Sequence, residues 1–294
     1  MAFRRQAPEA DQDLAVAPVE SASSESAPSP RVRERLLWMV VALGCWILAG
    51  RSIRQAWFGS QTDPTWEQMQ RSGILRVCID ATYPPFGLQD ASGQFVGYDV
   101  DLLRELAVRW GVETLFINIH FDGLYDALLA GKCELIVSAL PYDATLTQDV
   151  LYSPSYFNAG LLVAVREEER TIRGLGLLSD RIVGVELGSA GHLEAQRLAN
   201  QARIPLQIAA YSSAEDALRA LVAGRVDAVI ADSVSIFQFM RVRGGLRYLE
   251  RFLTDEQYVI ALRPDSGYVW KRIADELGRL KREGYLEALR EKWL

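Results

Sequence analysis

From Leu75 to the C-terminus, short β-branched runs alternate with stretches whose apolar positions recur at helical spacing. LRVCID (75–80) predicts a strand. DVDLLRELAVRWG (99–111) sets Leu102, Leu103, Leu106, Ala107 and Trp110 on one helical face, with Gly111 as the stop. TLFINI (114–119) predicts a strand, FDGLYDALLAG (121–131) a helix and ELIVSAL (134–140) a strand. Such alternation implies a mainly parallel sheet covered by helices.

The same device recurs further on. ALLAGKCELIVSAL (127–140) and ALVAGRVDAVIADS (220–233) share a helix end, an Ala-Gly stop, a basic residue, a carboxylate and a buried strand. Strands RIVGVE (181–186) and LQIAA (206–210), with helices over 190–202 and 213–223, complete a second α/β lobe. Open α/β sheets bind ligands at the carboxyl ends of their strands. Ser138 and Asp232, each ending a matched strand, are therefore expected to face one another across a cleft. One strand and two helices remain at the C-terminus, too little for a third domain, so the chain is expected to cross back and finish the first lobe. GLLVAVR (160–166) and YVIALR (258–263) are the expected crossovers, and two crossovers make a hinge.

The pattern breaks down before Leu75. Residues 1–30 are rich in Ala, Pro, Ser and Glu and cannot bury enough apolar surface to offset ordering, so the tail (1–35) is expected to be disordered. The uncharged run Leu36–Gly50 is preceded by Arg31, Arg33 and Arg35 and followed by Arg51 and Arg54. It falls between the roughly 7–15 apolar residues of a signal-peptide core and the about 20 of a membrane span, and no clean small-x-small cleavage site follows. The expectation is an uncleaved membrane anchor over 36–57, helped at the interfaces by Trp38, Trp46 and Trp57, with the N-terminus inside and the lobes outside.

Composition narrows the function classes. The 294 residues carry a net charge of −6, which argues against a nucleic-acid partner, because phosphate binding needs a basic face. Of the three cysteines, Cys45 lies in the apolar run. Cys78 and Cys133 fall on strands expected to be neighbours but offset by about three residues, roughly 10 Å of rise. A disulfide needs Cα atoms within about 7 Å, so none is expected. No metal cluster, phosphate loop or nucleophile–base set stands out, His120 and His192 are isolated, and no cofactor is implied.

LRVCIDATYPPFG, GQFVGYDVDLLRELA, FDGLYDALLAGKCELIVSAL, YSPSYFNAGLLVAVR, ALVAGRVDAVIADS and GYLEALREKWL, in this order and spacing, resemble the family 3 extracytoplasmic solute-binding proteins, the polar amino-acid receptors of ABC importers. The resemblance covers nearly all of residues 72–294. It implies an α/β, two-lobed type II periplasmic-binding-protein fold with two hinge crossovers, here preceded by an N-terminal transmembrane or signal-anchor helix. Lobe 1 is expected to comprise 72–162 and 258–294, and lobe 2 163–257. The implied partners are a small-molecule ligand and an ABC permease in the membrane.

The resemblance also implies a site. Tyr83 and Phe121 match the aromatics that hold the ligand side chain, with Phe86 close by. Asp232 matches the carboxylate that pairs with a ligand ammonium, Ser138 and its neighbour Ala139 match a segment that meets the ligand, and Asp80 and Ser189 match contact positions. Second roles stay open: core packing for Phe86, a turn cap for Asp80, an N-cap for Ser189.

The departure lies in SALPYDATLTQDV (138–150). The family's hydroxyl and arginine for a ligand α-carboxylate fall here on Pro141 and Leu146. Each lost bond to a charged group is worth about 1.5–3 kcal/mol. What remains, Asp80, Asp122, Asp143 and Asp232 with Tyr83, Phe121 and Tyr142, suits a cation, although Asp122 and Asp143 are also placed to cap a helix and a turn. The expectation is a binding protein, not an enzyme, for an amine or a cationic amino-acid relative. A sensory domain, or a relative of the cyclohexadienyl dehydratases that share this fold, are the alternatives.

Overall fold

The computed structural model describes residues 63–201 and 204–294. The tail and the apolar run at 36–50 lie outside them. Among the described residues, no helix is long and apolar enough to cross a membrane.

The chain opens with α1 (Pro64–Ser72), β1 (Ile74–Ile79), a small antiparallel sheet of β2 (Thr82–Tyr83), β3 (Gly87–Gln89) and β4 (Phe95–Val96), then α2 (Tyr98–Trp110) and β5 (Glu113–Asn118). There follow α3 (Leu124–Leu129), β6 (Leu135–Ile136), β7 (Leu151–Tyr152), β8 (Phe157–Asn158) and β9 (Leu161–Arg166). The second half holds β10 (Ile182–Glu186), α4 (Ala190–Asn200), β11 (Gln207–Tyr211), α5 (Ala214–Val222), β12 (Ala228–Asp232), α6 (Ser233–Arg243) and β13 (Leu246–Tyr248). Last come β14 (Gln257–Tyr258), β15 (Ala261–Leu262), α7 (Gly267–Arg282) and α8 (Tyr285–Trp293).

Two five-stranded sheets result, β5-β1-β6-β15-β7 and β11-β10-β12-β9-β13. In each, three parallel strands meet an antiparallel fourth: β15 against β6, and β9 against β12. The likeness between 127–140 and 220–233 is therefore a likeness of structure. Gly131 and Gly224 stop α3 and α5 at φ 71° and 72°, left-handed values that favour glycine. In both copies the next residue donates its N–H back into the helix, Lys132 to Ala127 and Arg225 to Ala220. The predicted face of α2 is buried as expected, with Leu102, Leu103 and Leu106 wholly enclosed.

The crossing points differ from expectation. Within 160–166, Leu161–Arg166 form β9, a member of the second sheet. The chain passes between the sheets at β8 and returns at β14, and these two strands pair antiparallel through Asn158–Gln257 and Phe157–Tyr258. An aromatic core sits at this crossing: Phe86 lies 5.2 Å from both Phe157 and Tyr258 and 5.6 Å from Tyr98, and Phe157 reaches Phe237 of α6 at 6.5 Å. One carboxylate ties the two ends of the first half together. Asp63 Oδ1 accepts from the N–H groups of Thr65 and Trp66 at the start of α1, and Oδ2 from those of Tyr268 and Val269 at the start of α7.

The expectation of free thiols is overturned. Cys78 and Cys133 are disulfide-bonded, with Cα atoms 5.7 Å apart. Strand rise separates the two residues only where both lie in straight strands, and β6 begins only at Leu135. Cys133 leaves the turn after Gly131 on the face covered by α3, where Leu124, Ala127 and Leu128 also pack on Cys78. Covalent pairing fits an oxidising compartment.

Candidate functional site

At the carboxyl ends of β1 and β6, Asp80 and Ser138 are drawn together, and the Asp80 N–H donates to Ser138 Oγ at 3.0 Å. The Asp80 carboxylate is committed locally: Oδ1 accepts from the Thr82 N–H and hydroxyl, and Oδ2 from the Phe121 N–H at 2.9 Å. These bonds fix the backbone at Phe121 and at Thr82, the neighbour of Tyr83. Tyr83, Phe121 and Tyr142 are exposed, at 49%, 39% and 50%, unusual for rings of this size and suited to meeting a ligand. Phe86 is fully buried, so its ring serves the core, stacked under Tyr83 at 6.0 Å. Tyr142 rests edge-on against Tyr152, whose hydroxyl bonds that of Tyr125 at 2.8 Å.

The predicted strand 134–140 is cut to Leu135–Ile136 because the chain then swings out. Ala139 takes φ 44°, and its N–H donates to Asp99 Oδ2 at 2.6 Å. Asp99, on the first turn of α2, is wholly buried, and burial pushes its carboxyl up to about 7. An acid raised above its unfolded value of about 3.9 binds its proton better when folded, so its contribution to stability is greatest at low pH and declines between about pH 4 and pH 7. Asp99→Asn keeps an oxygen for the Ala139 N–H and removes that decline. The difference in unfolding free energy between about pH 5 and pH 8 should move in favour of the higher pH in this variant. An unaltered pH dependence would contradict the assignment.

In the second sheet, Asp232 ends β12 and caps α6: Oδ1 accepts from the Ser235 N–H at 2.8 Å, and Oδ2 from the Ser235 hydroxyl at 2.7 Å. Ser189 caps α4, accepting from the His192 N–H while donating to the Glu186 carbonyl. Both of its hydrogen-bonding roles are thus used locally. Asp232 and Ser189 line a cavity of about 70 Å³ with Glu186, Ala190, Gly191 and Ala214. No Lys or Arg lines it among the described residues. It is well short of the roughly 300 Å³ of a complete small-molecule pocket, so it can hold one end of a ligand.

The two halves approach through the returning crossover. Burial, then Tyr83, Glu256 and Asp232, push the Tyr258 hydroxyl up. Burial and the Asp232 charge raise the Glu256 carboxyl. Asp143 caps the 3-10 turn Ala144–Leu146 and, held by Thr145, sits below the ordinary carboxylate range. Asp122 is exposed, 3.8 Å from His120. Pro141 bridges to Tyr258, and Leu146 packs partly against the cluster around Cys78. Sequence reasoning missed Glu186, Glu256, Tyr258 and Asp99. Glu186 was within reach, since its strand ends in a carboxylate as β12 does.

The model of the bacterial extracellular solute-binding proteins, family 3, matches residues 75–294. An L-arginine-binding protein of Pseudomonas aeruginosa is 29% identical over 229 residues, which span 74% of this chain and 87% of that one. The solved structure of an ancestral cationic amino acid solute-binding protein is 27% identical at a TM-score of 0.59, covering 78% of this chain and 99% of its own. An ancestral cyclohexadienyl dehydratase, at 23% identity and a TM-score of 0.66, covers 77% and 94% and shares the fold.

Proposed function

The chain belongs to the bacterial extracellular solute-binding proteins, family 3, and from that premise we propose that it captures a small amine-bearing or amino-acid-like solute outside the cytoplasm and delivers it to an ABC-type permease. The observation that carries the ligand class is the cavity at the carboxyl end of β12, where Asp232 stands with no basic side chain in the lining among the described residues. A partly buried carboxylate without a cationic neighbour calls for a positive group opposite it. Exposed Tyr83, Phe121 and Tyr142 supply aromatic faces on the other side. The names of the arginine-binding and cationic amino acid relatives agree with a positive ligand. The disulfide supports an extracytoplasmic site of action. The apolar run at 36–50, flanked by arginines, supports retention at the membrane by a single N-terminal anchor.

The lobes proposed to close on the ligand are 72–162 with 258–294, and 163–257. Membership of β9 in the second sheet favours a first boundary a few residues earlier, at β8.

A thermal-shift panel of amines, amino acids and carboxylates on the full-length chain tests the ligand class. A ligand at 100 times its Kd stabilises by about 2.7 kcal/mol, easily read as a raised Tm. Amine-bearing compounds should stabilise and simple carboxylates should not. Leu146→Arg combined with Pro141→Thr should improve binding of ordinary α-amino acids by about tenfold or more, through charge-assisted bonds to the carboxylate. Stabilisation of the unmutated chain by carboxylates lacking an amine would refute the proposal.

A further inference from the structure

The chain passes between the two sheets twice, and one side chain fastens the passes together. Asn158 Oδ1 accepts from the Gly160 N–H at 2.9 Å and from the Glu256 N–H at 3.0 Å, while Nδ2 donates to Asp255 Oδ1 at 2.8 Å. Both polar ends of the amide thus reach the returning pass. Beside it, the Ala159 N–H donates to the Glu256 carbonyl at 2.8 Å and the Leu161 N–H to Thr254 Oγ1 at 3.0 Å. The fit leaves no slack: a methyl group on Gly160 would meet the Thr254 carbonyl oxygen at 1.9 Å.

Each side of this clasp leads to a candidate ligand group. In the second sheet, Asp232 is level with Leu161 of β9, and the next residue, Ser233, is wholly buried. The Ser233 N–H donates to the Gly160 carbonyl at 3.0 Å, and its hydroxyl to the Asn158 carbonyl at 2.7 Å. Ser233 cannot part from the crossing without leaving a buried N–H and hydroxyl unpaired, which is costly. Toward the first sheet, the Gln257 carbonyl accepts from the Tyr142 N–H at 2.8 Å, and the Leu140 carbonyl from the Val259 N–H at 2.9 Å. A continuous bonded path therefore runs from Asp232 through Ser233, Asn158 and residues 256–257 to Tyr142.

We propose that Asn158 is a positioning residue of the binding site, setting where the Asp232 carboxylate stands relative to Tyr142 without itself touching the ligand. The roles of Asp232 and Tyr142 rest on the solute-binding reading above; Asn158 adds the element that holds the two in register. Loosening the clasp would let their separation vary, although neither residue is altered.

Hydrogen exchange resolved at single amides, on the full-length chain without ligand, tests this. Asn158→Ala should speed exchange at Gly160 and Glu256, which lose their acceptor. It should also speed exchange about threefold to tenfold at Ser235 and Tyr142, whose own acceptors are unaltered. The Ser235 N–H reports the hold of Asp232 on its helix, and the Tyr142 N–H that of the first half's segment. Leu103 and Leu106, enclosed in α2, should keep their rates and so report that the fold is retained. Should Asn158→Ala fail to fold, Ser233→Ala removes only the hydroxyl on the Asn158 carbonyl and should speed Glu256 and Tyr142 likewise, since coupling is reciprocal. Faster exchange confined to Gly160 and Glu256 in the first variant, or unchanged rates at Glu256 and Tyr142 in the second, would reduce Asn158 to a pin of its own strand and overturn the proposal. Because no ligand enters this experiment, that outcome leaves the ligand class to the thermal-shift panel, which decides it separately.

Discussion

Asp232→Asn should weaken binding of the cationic ligand by roughly 2–5 kcal/mol, from about 30-fold to a few thousand-fold, and leave the fold standing. The choice of asparagine matters because Asp232 performs two tasks. Its Oδ1 accepts the Ser235 N–H and so caps α6, while the carboxylate presents charge to the cavity. Asparagine is as good an N-cap as aspartate, whereas alanine would add about 1 kcal/mol of helix destabilisation to any loss of binding. Asparagine therefore separates the two tasks. Calorimetry with the strongest amine of the panel reads the charge, and thermal unfolding without ligand reads the cap. Binding retained at its original strength by Asp232→Asn would mean that the cavity does not hold the ligand's positive group.

Opening the Cys78–Cys133 bridge should cost about 4 kcal/mol of folding stability, by the chain-entropy relation for a loop of this span. The bridged residues are 55 apart, and the loop between them contains α2, β5 and α3, so it constrains much of the first lobe in the unfolded chain. Both sulfurs lie in a buried apolar cluster with Leu124, Leu128, Ile136 and Leu140, so paired serines would also bury hydroxyls there. Reduction is the cleaner test. Denaturant unfolding with and without a strong reductant should separate by that amount, and thiol titration of the unfolded, unreduced chain should find one reactive cysteine, Cys45, of the three. Superimposable unfolding curves would exclude a stabilising bridge.

Much of the architecture was legible because burial imposes a period. α2 was readable since a helix with one face enclosed must repeat its apolar residues, and the repeat at 127–140 and 220–233 showed that one unit was used twice. The bridge was not readable, since its position depends on how Cys133 leaves a turn, and strand rise describes only residues inside a strand. The swing at Ala139 was hidden for a related reason. It depends on a buried carboxylate 40 residues away, in Asp99. TYPPF announces rings at the site but not which of them faces inward; the core of Phe157, Tyr98 and Tyr258 claims Phe86 and leaves Tyr83 outside. Asp80 and Ser189 show the limit of matching positions, because local N–H groups and carbonyls take up their polar atoms.

The strand order of the first sheet dictates a schedule. β15, at residues 261–262, is inserted between β6 and β7, whereas the second sheet is drawn from one uninterrupted stretch between β9 and β13. A chain synthesised from its N-terminus completes all of β9 to β13 while the earlier half still has a vacant lane between β6 and β7, with unpaired backbone on either side. The half made first is thus the half finished last, and its closure waits on the final segment of the polypeptide. Loss of the C-terminal segment from β15 onward would undo the beginning of the protein sooner than its middle.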